Sequence, residues 1–364
     1  MSFLLVSFFT ALVLTFVVIR SSNWHARSTA DQNHTGPQKY HRHPVPRVGG
    51  VGVFAAVVAG ALLAAVMLPR HSLALWLLIA SGMPTFAFGL TEDITNDVSP
   101  RRRLAFTVVS AGLAAWLLDA VVRRTDIPGI QSLVQMEPFA IALTLLVVTG
   151  LVNAVNIIDG FNGLASMCVL MMVLAFAYVG FRVGDPFIIT VSLITAGAVL
   201  GFFVWNFPAG LIFLGDGGAY FLGFLLAELG VLLLSRNVQV SPMFPLLLCA
   251  YPIVETIFSM YRRKVLQGVA TSAPDAIHLH TLIHRRLVRR SIGDTQQRQL
   301  TARNSMTSPY LWLLCLLSVI PAVLWWDNTA VLAGFLALFV VSYVILYWRI
   351  VRFRVPKWLM WGQR

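Results

Sequence analysis

Apolar runs of about 18–22 residues, separated by short polar clusters, set the pattern of this chain. Eleven such runs fall at roughly 2–19, 48–68, 72–90, 104–122, 138–155, 164–181, 187–205, 218–235, 243–261, 309–326 and 329–348. A helix of that length crosses about 30 Å of hydrocarbon, and a helix satisfies its own backbone polar groups there. The pattern predicts an all-α, polytopic membrane protein with about eleven transmembrane helices, folded as a single domain over 1–364. No cationic stretch precedes the first run and no small-residue cleavage site follows it. It therefore reads as a retained span rather than a leader.

Composition agrees and adds an orientation. The chain is 58% hydrophobic and only 12% charged, with a mean hydropathy of +0.78. With the amino terminus outside, the loops 20–47, 91–103, 153–163, 206–217 and 262–308 and the tail 349–364 lie in the cytoplasm. They hold 22 of the 27 Lys and Arg residues, and the outer loops hold the other five, Arg70, Arg123, Arg124, Arg182 and Arg236. Basic residues gather on the cytoplasmic side of membrane proteins. The same bias accounts for the net charge of +12 without nucleic acid, for which basic residues interleaved with stacking aromatics in a soluble domain are expected. A basic inner face also attracts anionic lipids and substrates. Cys168, Cys249 and Cys315 lie in apolar runs with no CxxC pair, so neither a disulfide framework nor a thiolate metal site is indicated.

The fifteen acidic residues carry more information. Glu92, Asp93, Asp97, Asp159, Asp216 and Asp275 fall in four different loops, all on the cytoplasmic side. One polar site at the inner face is the simplest reading. The stretch around which it is organised is Asn153-Ala-Val-Asn156-Ile-Ile-Asp159-Gly-Phe-Asn162-Gly-Leu-Ala165. Gly160 and Gly163 break the helix there, and the steps Asn153, Asn156, Asp159 and Asn162 would share one face if it ran on. Such a row at a membrane boundary calls for a polar or cationic occupant.

Three further motifs flank it. Gly89-Leu-Thr-Glu92-Asp93 ends the third span, and adjacent carboxylates suit Mg²⁺ or proton transfer; the bland alternative is a solvated loop. Phe213-Leu-Gly215-Asp216-Gly217-Gly218 lets one carboxylate and backbone amides approach a phosphate–metal unit, or is an ordinary glycine turn. Pro274-Asp275-Ala-Ile-His278-Leu-His280, with His284 beyond, invites zinc. The adjoining Arg285 and Arg286 favour a pyrophosphate instead, and a basic interfacial helix is the plain alternative. The first inner loop, with Lys39 and Arg47, is basic and proline-rich and reads either as a cover for a nucleotide or as a charged linker. Glu228 and Glu255, the deepest carboxylates in the spans, raise a transporter alternative.

In this order the motifs N-A-V-N-I-I-D-G-F-N-G-L-A, G-L-T-E-D, F-L-G-D-G-G and P-D-x-x-H-x-H resemble the polyprenyl-phosphate N-acetylhexosamine-1-phosphate transferase superfamily, from about Lys39 to His284. The span count favours its GlcNAc-1-phosphate branch. The resemblance implies transfer of a sugar 1-phosphate from a UDP-N-acetylhexosamine to undecaprenyl phosphate with release of UMP, in a bacterial inner membrane and with the active site inside. This would begin a surface polysaccharide such as O-antigen, on Mg²⁺ or Mn²⁺. It implies that Glu92 and Asp93 position or deprotonate the lipid phosphate, and that Asp216 and Asn156 hold the metal. Asp159, Asn162 and Phe213 would hold the uridine, and His278 and His280 the pyrophosphate; Asn153, Lys39 and Arg47 complete the expected substrate contacts. Three positions depart from the family pattern: Glu92 for its first Asp, Asn162 for the second Asp of D-G-x-D-G, and Thr281 for a third His. Direct in-line displacement is expected over a carboxylate–phosphate intermediate, because the acceptor is already an anion. The sugar, the polymer and homodimer formation stay open.

Overall fold

The structure is a computed structural model that describes residues 1–21, 45–95, 97, 99–268, 277–288 and 297–352, with 297–300 described by backbone alone. Long helices follow the apolar runs: α1 Ser2–Arg20, α2 Gly49–Met67, α3 Pro69–Thr95, α4 Pro100–Leu118, α5 Glu137–Ile158, α6 Leu164–Val183, α7 Pro186–Asn206 and α8 Gly215–Arg236. A broken pair comes next, α9 Met243–Leu248 and α10 Ala250–Tyr261. The short α11 Leu279–Ile283, then α12 Gln297–Leu324 and α13 Thr329–Val351, follow.

Among the described residues nine helices are long and apolar enough to cross a membrane. Two of the eleven expected spans fall short of that, each for a physical reason. α4 opens on Arg101, Arg102 and Arg103 directly behind Pro100, so its first turn is cationic. The run 243–261 is interrupted because Pro252 has no N–H to give the carbonyl of Leu248, and the helix breaks at Cys249. Both still run the depth of the bundle. α4 starts beside Glu92, 3.6 Å from Arg103, and stops at Asp119, which shares Arg123 with Glu137 at the far end. α9 follows Ser241, whose hydroxyl meets that of Thr329 at the start of α13 (2.8 Å), while Glu255 of α10 reaches His278 at the other end.

The core helix is α8, buried at every position from Gly217 to Leu233. Its first turn is gripped by α2 and α3 through facing glycines. A Cβ on Gly89 would stand 2.6 Å from the Cα of Gly217, and one on Gly50 would stand 2.5 Å from the Cα of Gly218. Lipid supplies little hydrophobic drive between helices, so close backbone contact through small residues does the work. This crossing brings the end of α3, one turn past Gly89, onto the N-terminus of α8. α1 packs in the same manner on α7, where Gly197 and Gly201 meet the carbonyls of Leu4 and Phe8.

Candidate active site

The site forms where α8 begins. Gly215 sits at φ +77°, and a Cβ there would strike the carbonyl of Arg47 and the carboxylate of Asp93; glycine takes this conformation without strain. The turn aims the first N–H groups of α8 at Asp93. Its Oδ1 accepts from Asp216 (2.8 Å) and its Oδ2 from Gly217 (2.9 Å). A carboxylate here satisfies orphan donors and suits the positive end of the helix dipole. Beside it, Phe213 donates its N–H to Pro46 (2.9 Å), and Gly49 donates to Phe213 (3.0 Å). That pairing carries Arg47 to 3.9 Å from Asp216.

Asp216 projects from this first turn toward the end of α5, where Asn156 Nδ2 donates to its Oδ1 (2.7 Å). The other face of the amide accepts from Arg103 Nη1 (3.4 Å). Arg103 in turn lies 3.6 Å from Glu92 and 5.2 Å over the ring of Tyr220. Tyr220 donates to Glu92 (2.8 Å), which also accepts from the N–H of Ser99 (3.3 Å). Glu92, Arg103, Asn156 and Asp216 thus form one polar chain from α3 to α8.

α5 ends at Ile158, and Asp159 caps it outside the helix. Burial raises the Asp159 carboxyl from the ordinary 3.8 to about 7, and the charge of Asp216 adds to the rise while Arg47 opposes it. The loop continues to the α11 histidines. The ring of His280 stands edge-on to Phe161 with centroids 5.5 Å apart, and a Cβ on Gly160 would lie 3.1 Å from its Nε2. His280 stacks on His278 (5.1 Å). His278 is itself fixed by Glu255, at 2.9 Å, and Glu255 also accepts from the Leu279 N–H (3.2 Å) and the Tyr343 hydroxyl (2.8 Å). The carboxylates, Arg47 and the histidines therefore converge on one end of the bundle.

Several sequence expectations change in detail. Glu92 and Asp93 are each 2% exposed and already bonded to Tyr220, Ser99 and the α8 backbone, so as they stand they brace the site rather than line it. The Asp216 and Gly217 amides of the G-D-G-G turn are taken by Asp93 and are not offered to a phosphate. The row from Asn153 to Asn162 does not form, because α5 stops before Asp159 and Gly163 turns left-handed at φ +73°. Asn153 donates back to Thr149 (2.8 Å). Asn162 is buried and faces α12, where its N–H reaches Asn304 (2.8 Å) and its amide Ser305 (3.2 Å). Phe213 is half-buried, and its backbone does the bridging. Lys39 and Asp275 lie outside the described residues. Arg103 resembles positive-inside charge in the sequence, and Tyr220 an apolar core residue. Only its place one turn beyond Asp216 on the same helix hinted at Tyr220.

The donor set suits a hard divalent cation. Asp216 and Asp159 supply oxygen, whereas the expected metal ligand Asn156 turns its amide nitrogen to Asp216 and its oxygen to Arg103. Burial first and the charge of Asp216 second hold the Asp159 carboxyl up, which a cation would relieve. Among the described residues no group of three His, Cys, Asp or Glu side chains is placed to hold a metal unaided. A hard divalent ion completes its shell with water and substrate phosphate.

Residues 75–234 match the model of glycosyl transferase family 4. The chain is 29% identical over 281 residues to a probable undecaprenyl-phosphate N-acetylglucosaminyl 1-phosphate transferase of Bacillus subtilis, covering 76% of this chain and 75% of that protein. It is 28% identical to an undecaprenyl-phosphate alpha-N-acetylglucosaminyl 1-phosphate transferase of Thermotoga maritima, over 76% of this chain and 80% of that one. It is also 29% identical to a decaprenyl-phosphate N-acetylglucosaminephosphotransferase of Mycobacterium tuberculosis, over 71% and 68%.

Proposed function

The chain belongs to glycosyl transferase family 4, and from that membership we propose that it transfers an N-acetylhexosamine 1-phosphate from a UDP-sugar to undecaprenyl phosphate at the cytoplasmic membrane surface. The observation that carries this reading is the meeting of Asp216, Asn156, Asp159, Arg47 and the His278–His280 pair at one end of a membrane bundle. One substrate must stay in the bilayer and the other is soluble, so a site at helix ends serves both. An oxygen of the lipid phosphate attacks the β-phosphorus in line, and the bond to the bridging oxygen breaks. Its electron pair leaves on UMP.

Asp216, with Asp159 beside it, would hold Mg²⁺, which would supply charge neutralisation for the diphosphate and its leaving group, and the Asn156 amide fixes the Asp216 carboxylate. Arg47, close to Asp216, adds a fixed positive charge for the same phosphates. Asp93 acts by holding the first turn of α8, and so Asp216, in place. Glu92 acts by orienting Arg103 and through it the Asn156 amide. The acceptor is an anion at neutral pH, so positioning outweighs proton abstraction, and buried Glu92 and Asp93 are poorly set for a covalent intermediate. The product would begin a lipid-linked polysaccharide such as O-antigen.

The test incubates membranes holding the protein with a panel of UDP-N-acetylhexosamines, undecaprenyl phosphate and Mg²⁺, and identifies the lipid by mass. A sugar-pyrophosphoryl lipid and stoichiometric UMP are expected, both lost with EDTA and regained with Mg²⁺. Turnover of the donor to free sugar phosphate, or no lipid product with any donor, would sink the proposal.

A further inference from the structure

Between Arg303 and Ser308, α12 carries polar side chains that are enclosed. Arg303, Asn304, Ser305, Thr307 and Ser308 are all at or below 3% exposure. Polar groups stay buried when they are bonded, and the partners here sit on the loop that follows α5. Asn304 Oδ1 accepts the N–H of Asn162 (2.8 Å), Ser308 donates to the carbonyl of Asn162 (2.6 Å), and Trp312 donates to the carbonyl of Gly163 (3.0 Å). Ser305 accepts from the Asn162 amide and donates to the carbonyl of Pro208. From α7, Asn206 accepts the N–H of Gly163 (2.6 Å). One turn along, Thr307 meets His284 (3.1 Å), whose ring lies 5.1 Å from that of Phe161. Helix hydrogen bonding has stopped by Asn162, so α12 provides the partners that its backbone would otherwise lack.

We propose that Asn304 is a positioning residue for donor binding. By holding the backbone of Asn162 it fixes the turn 159–163, and with it the place of Asp159 beside Asp216 and Arg47. Asn304 lies beyond the residues that match the family, 75–234. The link to the donor rests on the transfer reading above; the clamp itself does not.

Full-length protein carrying Asn304→Ala, Asn304→Asp or Ser318→Ala is compared with wild type. Ser318 bonds Cys315 on the same helix, well past the loop contacts (2.9 Å), and controls for altering a buried hydroxyl of α12. Two readouts are taken: amide hydrogen exchange over 159–163, and kcat and KM for UDP-N-acetylglucosamine with undecaprenyl phosphate. Loss of one buried hydrogen bond predicts exchange about tenfold faster in Asn304→Ala, and a KM raised about tenfold with kcat within about threefold. Asn304→Asp keeps the accepting oxygen and restores both, while Ser318→Ala changes neither. Unchanged exchange in Asn304→Ala, or equal damage from Asn304→Asp, overturns the clamp. If Asn304→Ala does not accumulate, Ser308→Ala removes only the donation to Asn162, and unchanged exchange there overturns it equally. A wild type that transfers nothing from any UDP-sugar defeats the transfer reading, and exchange still decides the clamp.

Discussion

At the scale of single residues, the side chains that touch one another matter more than those that carry charge. Asp216 bonds Asn156 and approaches Arg47, whereas Glu255 stands one step back and holds His278. Asp216→Asn is therefore expected to lower UMP release by at least about a hundredfold, as removal of a centre of charge stabilisation does. Glu255→Gln keeps an acceptor for His278 and should cost about tenfold, in the range for groups that orient a working residue. The reverse order would favour a transporter, in which Glu255 and Glu228 do the work. Asp159 offers a pH test. Its folded-state value near 7 lies above the ordinary 3.8, so the folded protein keeps a proton that the unfolded chain has lost. In metal-free buffer, stability then falls as pH rises from about 4 to about 7. Asp159→Asn should flatten that slope in thermal unfolding scans, and an unchanged slope would show that Asp159 titrates normally.

Between helices, glycine pairs decide the geometry. The α3–α8 crossing needs Gly89 against Gly217, because any side chain on Gly89 meets backbone and the ring of Tyr220 at 2.6 Å. Gly89→Ala is expected to cost about 1–3 kcal/mol or more through overpacking, and to pull Asp93 off the α8 amides. Melting temperature and transfer rate should fall together. Among the described residues, a Cβ on Gly112 of α4 would meet just Leu145, at 3.9 Å, so Gly112→Ala should leave the melting temperature unchanged or raised. Equal melting for Gly89→Ala and wild type would mean that the contact is not tight. Periodicity and proline spacing made each helix readable in the chain. They did not reveal which glycines face each other, since G-L-T-E-D and G-D-G-G lie more than a hundred residues apart.

For the whole molecule, the expected orientation puts the site inside. Asp97, at the site end, and Glu137, at the other, have side chains 72% and 56% exposed, and the three native cysteines are fully or almost fully buried. On intact cells an impermeant maleimide should label Glu137→Cys and spare Asp97→Cys until the membrane is opened. The opposite pattern would place the site outside. By itself the chain determined an all-α membrane bundle and the acidic motifs at one end of it, because hydrophobic length and the side-chain types are local properties. Tertiary structure alone decided which groups face a substrate and which brace the site. Asp93 went to the backbone of α8, Asn162 to α12 and Glu255 to His278, and Arg103, Tyr220 and Asn304 joined the site unannounced. The reason is physical: a buried polar group takes whatever partner the packing of distant helices brings within about 3 Å, and sequence spacing does not encode that distance.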